Sequence, residues 1–154
     1  MKNVTTNFFA ERDYPSELLN AAREMIITGR YEISVVTAQM ACEVCTERTM
    51  HAYFRTRSVE FLEKSVEDLL PSYNLSNDKV CGIYVALTQD STHRQYFWAE
   101  YKTMVTIRNK AVHAGARVQE SQAQMVVRIA TSIIKHLKAV ECRAFVLTND
   151  SQAK

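Results

Sequence analysis

The sequence predicts an all-α protein, an up-and-down helical bundle, and three observations carry that expectation. Only three Gly and two Pro occur in 154 residues, too few for the turns of a β-sandwich or barrel. Apolar side chains recur at spacings of three and four along most of the chain, the period of an amphipathic helix. The first two such segments are joined by Gly29-Arg30 alone, and so short a link forces them to run antiparallel. A chain of this length forms one domain that buries roughly two-thirds of its unfolded surface. With 47% hydrophobic and 23% charged residues, it belongs with ordinary globular domains rather than disordered, fibrous or disulfide-dense chains.

Helix one begins at Pro15, where a first turn tolerates proline, carries Leu18, Leu19, Ala22, Met25 and Ile26, and stops at Gly29. Helix two runs from Glu32 to about Phe54 through Ile33, Val36, Met40 and Val44 without a breaker. Ser58 is placed to cap a third helix through Val59, Leu62, Val66, Leu69 and Leu70, which Pro71 ends. After a polar loop, Asn77 or Asp78 caps a short helix with Val80, Ile83, Tyr84 and Leu87 on one face. Ser91 or Thr92 starts a long helix through Tyr96, Phe97, Tyr101, Met104, Val105 and Val112 that halts near Gly115. The final helix starts about Gln119 and continues through Ala123, Val126, Val127, Ala130, Ile133, Ile134 and Leu137. Beyond Val140, Phe145-Val146-Leu147 reads as a short extended piece. The domain plan is an amino-terminal arm over 1–14, a helical bundle over 15–140 and a carboxy-terminal tail over 141–154.

Gly29, Gly82 and Gly115 stand far apart, so neither a P-loop nor a G-x-G-x-x-G dinucleotide turn can be written. No apolar run reaches signal-peptide or membrane-spanning length, and a cytoplasmic protein with no membrane partner is expected. Cys42, Cys45, Cys81 and Cys142 are then expected to be reduced. Cys42-x-x-Cys45 falls in mid-helix without a second Cys or His pair at suitable spacing, so it reads as two buried small hydrophobes rather than half a zinc site. No metal and no cofactor is expected. His51, His93 and His136 are isolated in the sequence and read as surface or capped histidines, with His136 placed to face the bundle.

The net charge of +2 hides an uneven distribution. Between Ser91 and Arg143, nine Lys and Arg stand against three Glu, so that stretch carries +6 and the rest of the chain −4. A basic segment on an acidic molecule suits a phosphate backbone, and equally a solvated helix face. Within it, Arg108-Asn109-Lys110-Ala111-Val112-His113 puts a guanidinium, an amide and an imidazole within six residues. Asn109 and His113 are i and i+4, on one face, and Arg108 is long enough to reach round to them. This set suits phosphodiester cleavage: an imidazole relays protons near neutral pH and a guanidinium holds the charge that develops on the phosphorus oxygens. With the substrate's own 2′-hydroxyl as nucleophile, no metal is required and the substrate is RNA. The competing reading pairs Arg108 with a carboxylate and leaves His113 as a cation at a helix carboxyl end.

Arg108-Asn109-x-x-x-His113, followed by Gly115 and an alanine-containing apolar helix, resembles the motif of the HEPN family (higher eukaryotes and prokaryotes nucleotide-binding). The resemblance extends to Thr37-Ala38-Gln39-Met40-Ala41-Cys42-Glu43, similar to the family's alanine-rich second helix, and covers roughly Pro15 to Val140. It implies a four- to five-helix bundle, here with one extra short helix in the middle third. It further implies a metal-independent endoribonuclease of toxin or host-defence type that leaves a 2′,3′-cyclic phosphate and a 5′-hydroxyl. In that picture His113 is the general acid and base, Arg108 the transition-state stabiliser and Asn109 the group that positions them. Lys102, Lys110 and Arg117 are candidates for RNA phosphate contacts. Some members also carry a Glu-x(3)-Lys-Arg motif on the second helix. Here Glu43 and Arg48 are kept while Glu47 replaces the Lys, so Glu43 either orients Arg108 or His113 or forms a salt bridge within the bundle. The Tyr that follows two residues after the His in nucleotidyltransferase-controlled toxins is Gly115 here, so that control is not expected. The active form implied is a homodimer with both motifs in one cleft, held in check by a neutralising antitoxin or a regulatory partner. The alternative is a non-catalytic bundle of the same family that binds a nucleotide, nucleic acid or a protein partner. Among the aromatics ahead of the motif, Tyr96, Phe97, Trp98 and Tyr101, one or two are expected to stack on RNA bases and the rest to serve core or dimer interface.

Overall fold

A computed structural model describes residues 13–151, and the described chain is all helical: α1 (Tyr14–Ile27), α2 (Tyr31–Thr56), α3 (Glu63–Leu69), α4 (Asp78–Thr88), α5 (Trp98–Ala114) and α6 (Glu120–Ser151). The expected arm over 1–14 lies, but for Asp13 and Tyr14, outside the described residues, as do the last three residues of the tail. No described helix is long and apolar enough to cross a membrane.

Helix α1 starts where the Asp13 carboxylate accepts from the Ser16 N–H with Pro15 in the first turn, and it ends before Gly29, whose φ of 72° few other residues adopt. The turn sends α2 back antiparallel, and the buried Ser34 hydroxyl donates to the Ala22 carbonyl across the pair. Helices α1, α2, α5 and α6 alternate in direction, the up-and-down order that short links and amphipathic faces predict. Lys138 on α6 reaches back to Asp13 and Ser16 at the start of α1.

The parallel pair α2 and α6 packs across the middle of this bundle. On its buried face α2 carries Ala38, Ala41, Cys42, Cys45, Thr46 and Thr49, and small side chains let a neighbouring helix approach closely. Four side chains along α2 donate to α6 carbonyls in register: Cys45 to Ile134, Thr49 to Leu137, Tyr53 to Val140 and Thr56 to Ala144. Cys42 and Cys45 are thus core, as their mid-helix spacing implies, and burial pushes the Cys45 thiol up to about 12.

Three expectations are corrected. Ser58 does not cap a helix: its φ of 54° places it in the left-handed turn that closes α2, and the chain re-enters helix through a 3-10 turn at Glu60–Leu62. Asn77, by contrast, does cap α4, its side chain accepting from Lys79 and Val80. The helix bearing the motif begins six residues later than Thr92. A 3-10 turn at Thr92–Arg94 breaks at the extended Gln95, and α5 starts at Trp98. Phe145-Val146-Leu147 is not extended: α6 continues to Ser151, and Ala144 is fully buried in line with Leu137 and Val140. The boundary drawn at 140 therefore falls within a helix.

Candidate functional site

Helix α5 lies antiparallel to α2 and to α6, and it buries Tyr101, Met104 and Val105. Arg108 continues that inward row as a half-buried side chain, while Asn109 and His113 stand exposed on the adjoining face. The Arg108 guanidinium swings outward to donate to Asn109 Oδ1 at 3.0 Å. Its Nε is shielded from solvent and bonded to no described group, as is the Oε1 of Gln39 on α2. No described carboxylate pairs with Arg108, so the competing reading of a structural ion pair there is not realised. His113 occupies the last turn of α5 and makes no hydrogen bond among the described residues. Gly115, at a φ of 60°, caps the helix and returns its N–H to the Lys110 carbonyl.

The supporting residues expected on α2 are not drawn to the motif. Glu43 accepts from Gln39 Nε2 at 3.1 Å on its own helix, and Arg48 pairs with Glu141 on α6 at 3.4 Å. The basic candidates lie on the same helix or in the turn that follows it. Lys110 and Arg117 line a cleft of about 340 Å³ between α5 and α6, and Lys102 lies 5.9 Å over the Trp98 ring. Val118, just beyond Arg117, donates its N–H to Glu32, which together with Arg117 holds that carboxyl below its usual range. Of the nine basic residues between 91 and 143, Arg128, Lys138 and Arg143 are spent on Glu100, Asp13 and Asp90. Those left without a described carboxylate bond include Lys102, Arg108, Lys110 and Arg117, all on α5 or the turn that follows it. On the other side of α5 a mostly apolar groove of about 290 Å³ is lined by Ile33 and Val36 with Ala111 and Val112, and by Glu32. Ile33, Met40 and Val112 are 52%, 45% and 46% exposed. Among the aromatics, Phe97 and Tyr101 are core, and Tyr96 is largely exposed.

A second polar centre escaped the sequence reading. Asp90, 8% exposed, follows α4 and accepts from His136 Nε2 at 2.8 Å, Arg143 at 2.9 Å and the Tyr84 hydroxyl at 3.2 Å. Burial alone would raise this carboxyl, but His136, by its bond and its charge, together with Thr92 and Arg143 outweighs it and holds the carboxyl well below the usual range. The Phe97 ring meets the His136 imidazole edge to face. Both carboxylate oxygens of Asp90 accept described hydrogen bonds, two of them from α6, so this centre fastens the loop before α5 to α6. The ligating side chains that do gather among the described residues are Glu47, His51 and Glu67, on α2 and α3 rather than at the motif.

Comparison with models of protein families, with curated proteins and with solved structures found no match.

Proposed function

We propose that the protein is a HEPN-like, metal-independent endoribonuclease working as a homodimer. The observation that carries this reading is the state of α5: an exposed imidazole, an amide-held guanidinium with no described carboxylate, and three further cations on the same helix or the turn after it. Exposed cations that form no described ion pair cost the fold little and leave a surface that suits a phosphate chain. In one chain Arg108 and His113 are roughly 140° apart around the helix. A second copy packed on the apolar groove beside them, over Ile33, Val36 and Val112, would bring two such sets to one cleft.

In that cleft His113 takes the proton from a ribose 2′-hydroxyl, and the oxygen attacks the adjacent phosphorus. Arg108, positioned by Asn109, holds the charge that grows on the non-bridging oxygens. The 5′-oxygen leaves with a proton from the partner's His113, giving a 2′,3′-cyclic phosphate and a 5′-hydroxyl. Lys102, Lys110 and Arg117 hold flanking phosphates. An activity of this kind calls for a toxin or defence setting with a neutralising partner.

The test is incubation of the purified protein and its His113→Ala variant with total RNA and tRNA in excess chelator, followed by end-group analysis. Cleavage by the wild type alone, with cyclic phosphate ends, supports the enzyme. RNA or nucleotide binding that persists in His113→Ala, with no cleavage by either protein, supports the non-catalytic binding module instead.

A further inference from the structure

We propose that Glu47 and His51 of α2 together with Glu63 and Glu67 of α3 form a zinc site that fastens α3 to the bundle. Each helix contributes an i, i+4 pair, so both donors of a pair lie on one face, and the two faces meet. One ligand atom from each of Glu47, His51 and Glu67 lies within 4.8 Å of the others. His51 Nε2 is 3.2 Å from Glu63 Oε1 and 3.5 Å from Glu67 Oε1.

The alignment of these contacts separates a metal site from an ion pair. His51 Nε2 is shielded from solvent, yet neither carboxylate stands in hydrogen-bonding alignment with it. A protonated imidazole would aim its N–H along one of those lines. With no hydrogen bond made at His51 Nε2, its lone pair is left for a cation that the neighbouring carboxylates can share. Around a tetrahedral zinc with bonds of about 2.0–2.2 Å, neighbouring donor atoms lie about 3.3 Å apart, and rotation of the long glutamate stems closes the widest separation.

Charge supports the same assignment. Three carboxylates stand near one imidazole, and the ion pairs described for the neighbouring cations go elsewhere, Arg48 to Glu141 and Lys64 to Asp68. An imidazole among carboxylates selects zinc over magnesium, which favours all-oxygen sites and keeps its waters. Helix α3 also has use for a fastening. It spans seven residues and buries none fully, and a helix that short is marginal without tertiary support. The site lies far from the motif, since His51 is about 27 Å along α2 from the Ile33 turn that α5 meets. It is therefore independent of the ribonuclease reading.

The metal-free full chain is titrated with zinc chloride, and with magnesium chloride in parallel, by calorimetry and thermal melting. The expected result is saturation at one zinc per chain and a Tm raised by a few degrees, with no such shift from magnesium. His51→Ala and Glu67→Gln should each weaken zinc binding about tenfold or more while keeping the far-UV circular dichroism and apo Tm of the parent. Absence of saturable zinc binding in the wild type overturns the proposal, as does zinc binding that is undiminished in both variants.

Discussion

Two regions of this molecule hold the same kinds of side chain in opposite states. At Asp90 a histidine, an arginine and a tyrosine are each bonded to one carboxylate, and that acceptor is buried. On α5 an arginine and a histidine lie within six residues, one partnered only by an amide and the other by no described group. The first arrangement satisfies its charges internally and has little left with which to meet a ligand. The second leaves donors turned outward and relies on the rest of the fold for its rigidity. Residue type alone does not separate a structural polar centre from a working one; the direction in which the bonds are spent does.

The sharpest way to break this contrast is to remove each histidine's function in turn. His113→Ala should reduce RNA cleavage by about 10²–10⁴-fold, the usual share of general acid–base catalysis, with a Tm like that of the wild type. A large loss of stability instead would move His113 to the structural side of the comparison. Asp90→Asn should do the reverse, costing about 2–3 kcal/mol in denaturant unfolding through weakened charge-assisted bonds. Because folding lowers the Asp90 pKa, its stabilisation is complete above the unfolded value near ~4 and is lost as pH falls through the folded value. The difference between wild type and Asp90→Asn should therefore shrink as the pH falls below about 4. Next in size, Ile33→Glu puts a charge on the exposed groove beside the motif. Sedimentation should show a monomer, cleavage should fall with it, and stability should stay within ~0.5 kcal/mol of the parent.

The uneven legibility of the sequence follows the same division. Periodicity located all six helices because each depends on its own apolar face, and the run Ile133, Leu137, Val140, Ala144 even carried the continuation of α6, masked by the apolar triplet Phe145-Val146-Leu147. The start of α5 was hidden because Tyr96-Phe97-Trp98 is apolar throughout and marks no face, while the extended Gln95 that breaks the helix has no local signal. The motif was visible since its parts are sequence neighbours. Asp90 was not, because His136 and Arg143 lie 46 and 53 residues away and no short pattern joins them. The His51 cluster stands between these cases: its i, i+4 pair with Glu47 lies in the sequence, but the meeting with Glu63 and Glu67 depends on how α3 folds back.

The smallest expected effects test how α5 divides its work between positioning and charge. Asn109→Ala removes the one described partner of the Arg108 guanidinium, and the loss of one such bond, about 1–1.5 kcal/mol, should slow cleavage roughly tenfold with little change in RNA affinity. Lys110→Gln and Arg117→Gln should act on the other quantity. Each removes one phosphate contact, so RNA affinity should weaken modestly and uniformly across sequences, and the slope of log affinity against log salt should flatten by about 0.7 per residue for a single strand. The cleavage rate at saturating RNA should hold. If the salt slope is unchanged in both variants, the unpaired cations around the motif do not face the RNA, and the basic segment is a solvated helix face beside a site that recognises its substrate by other means.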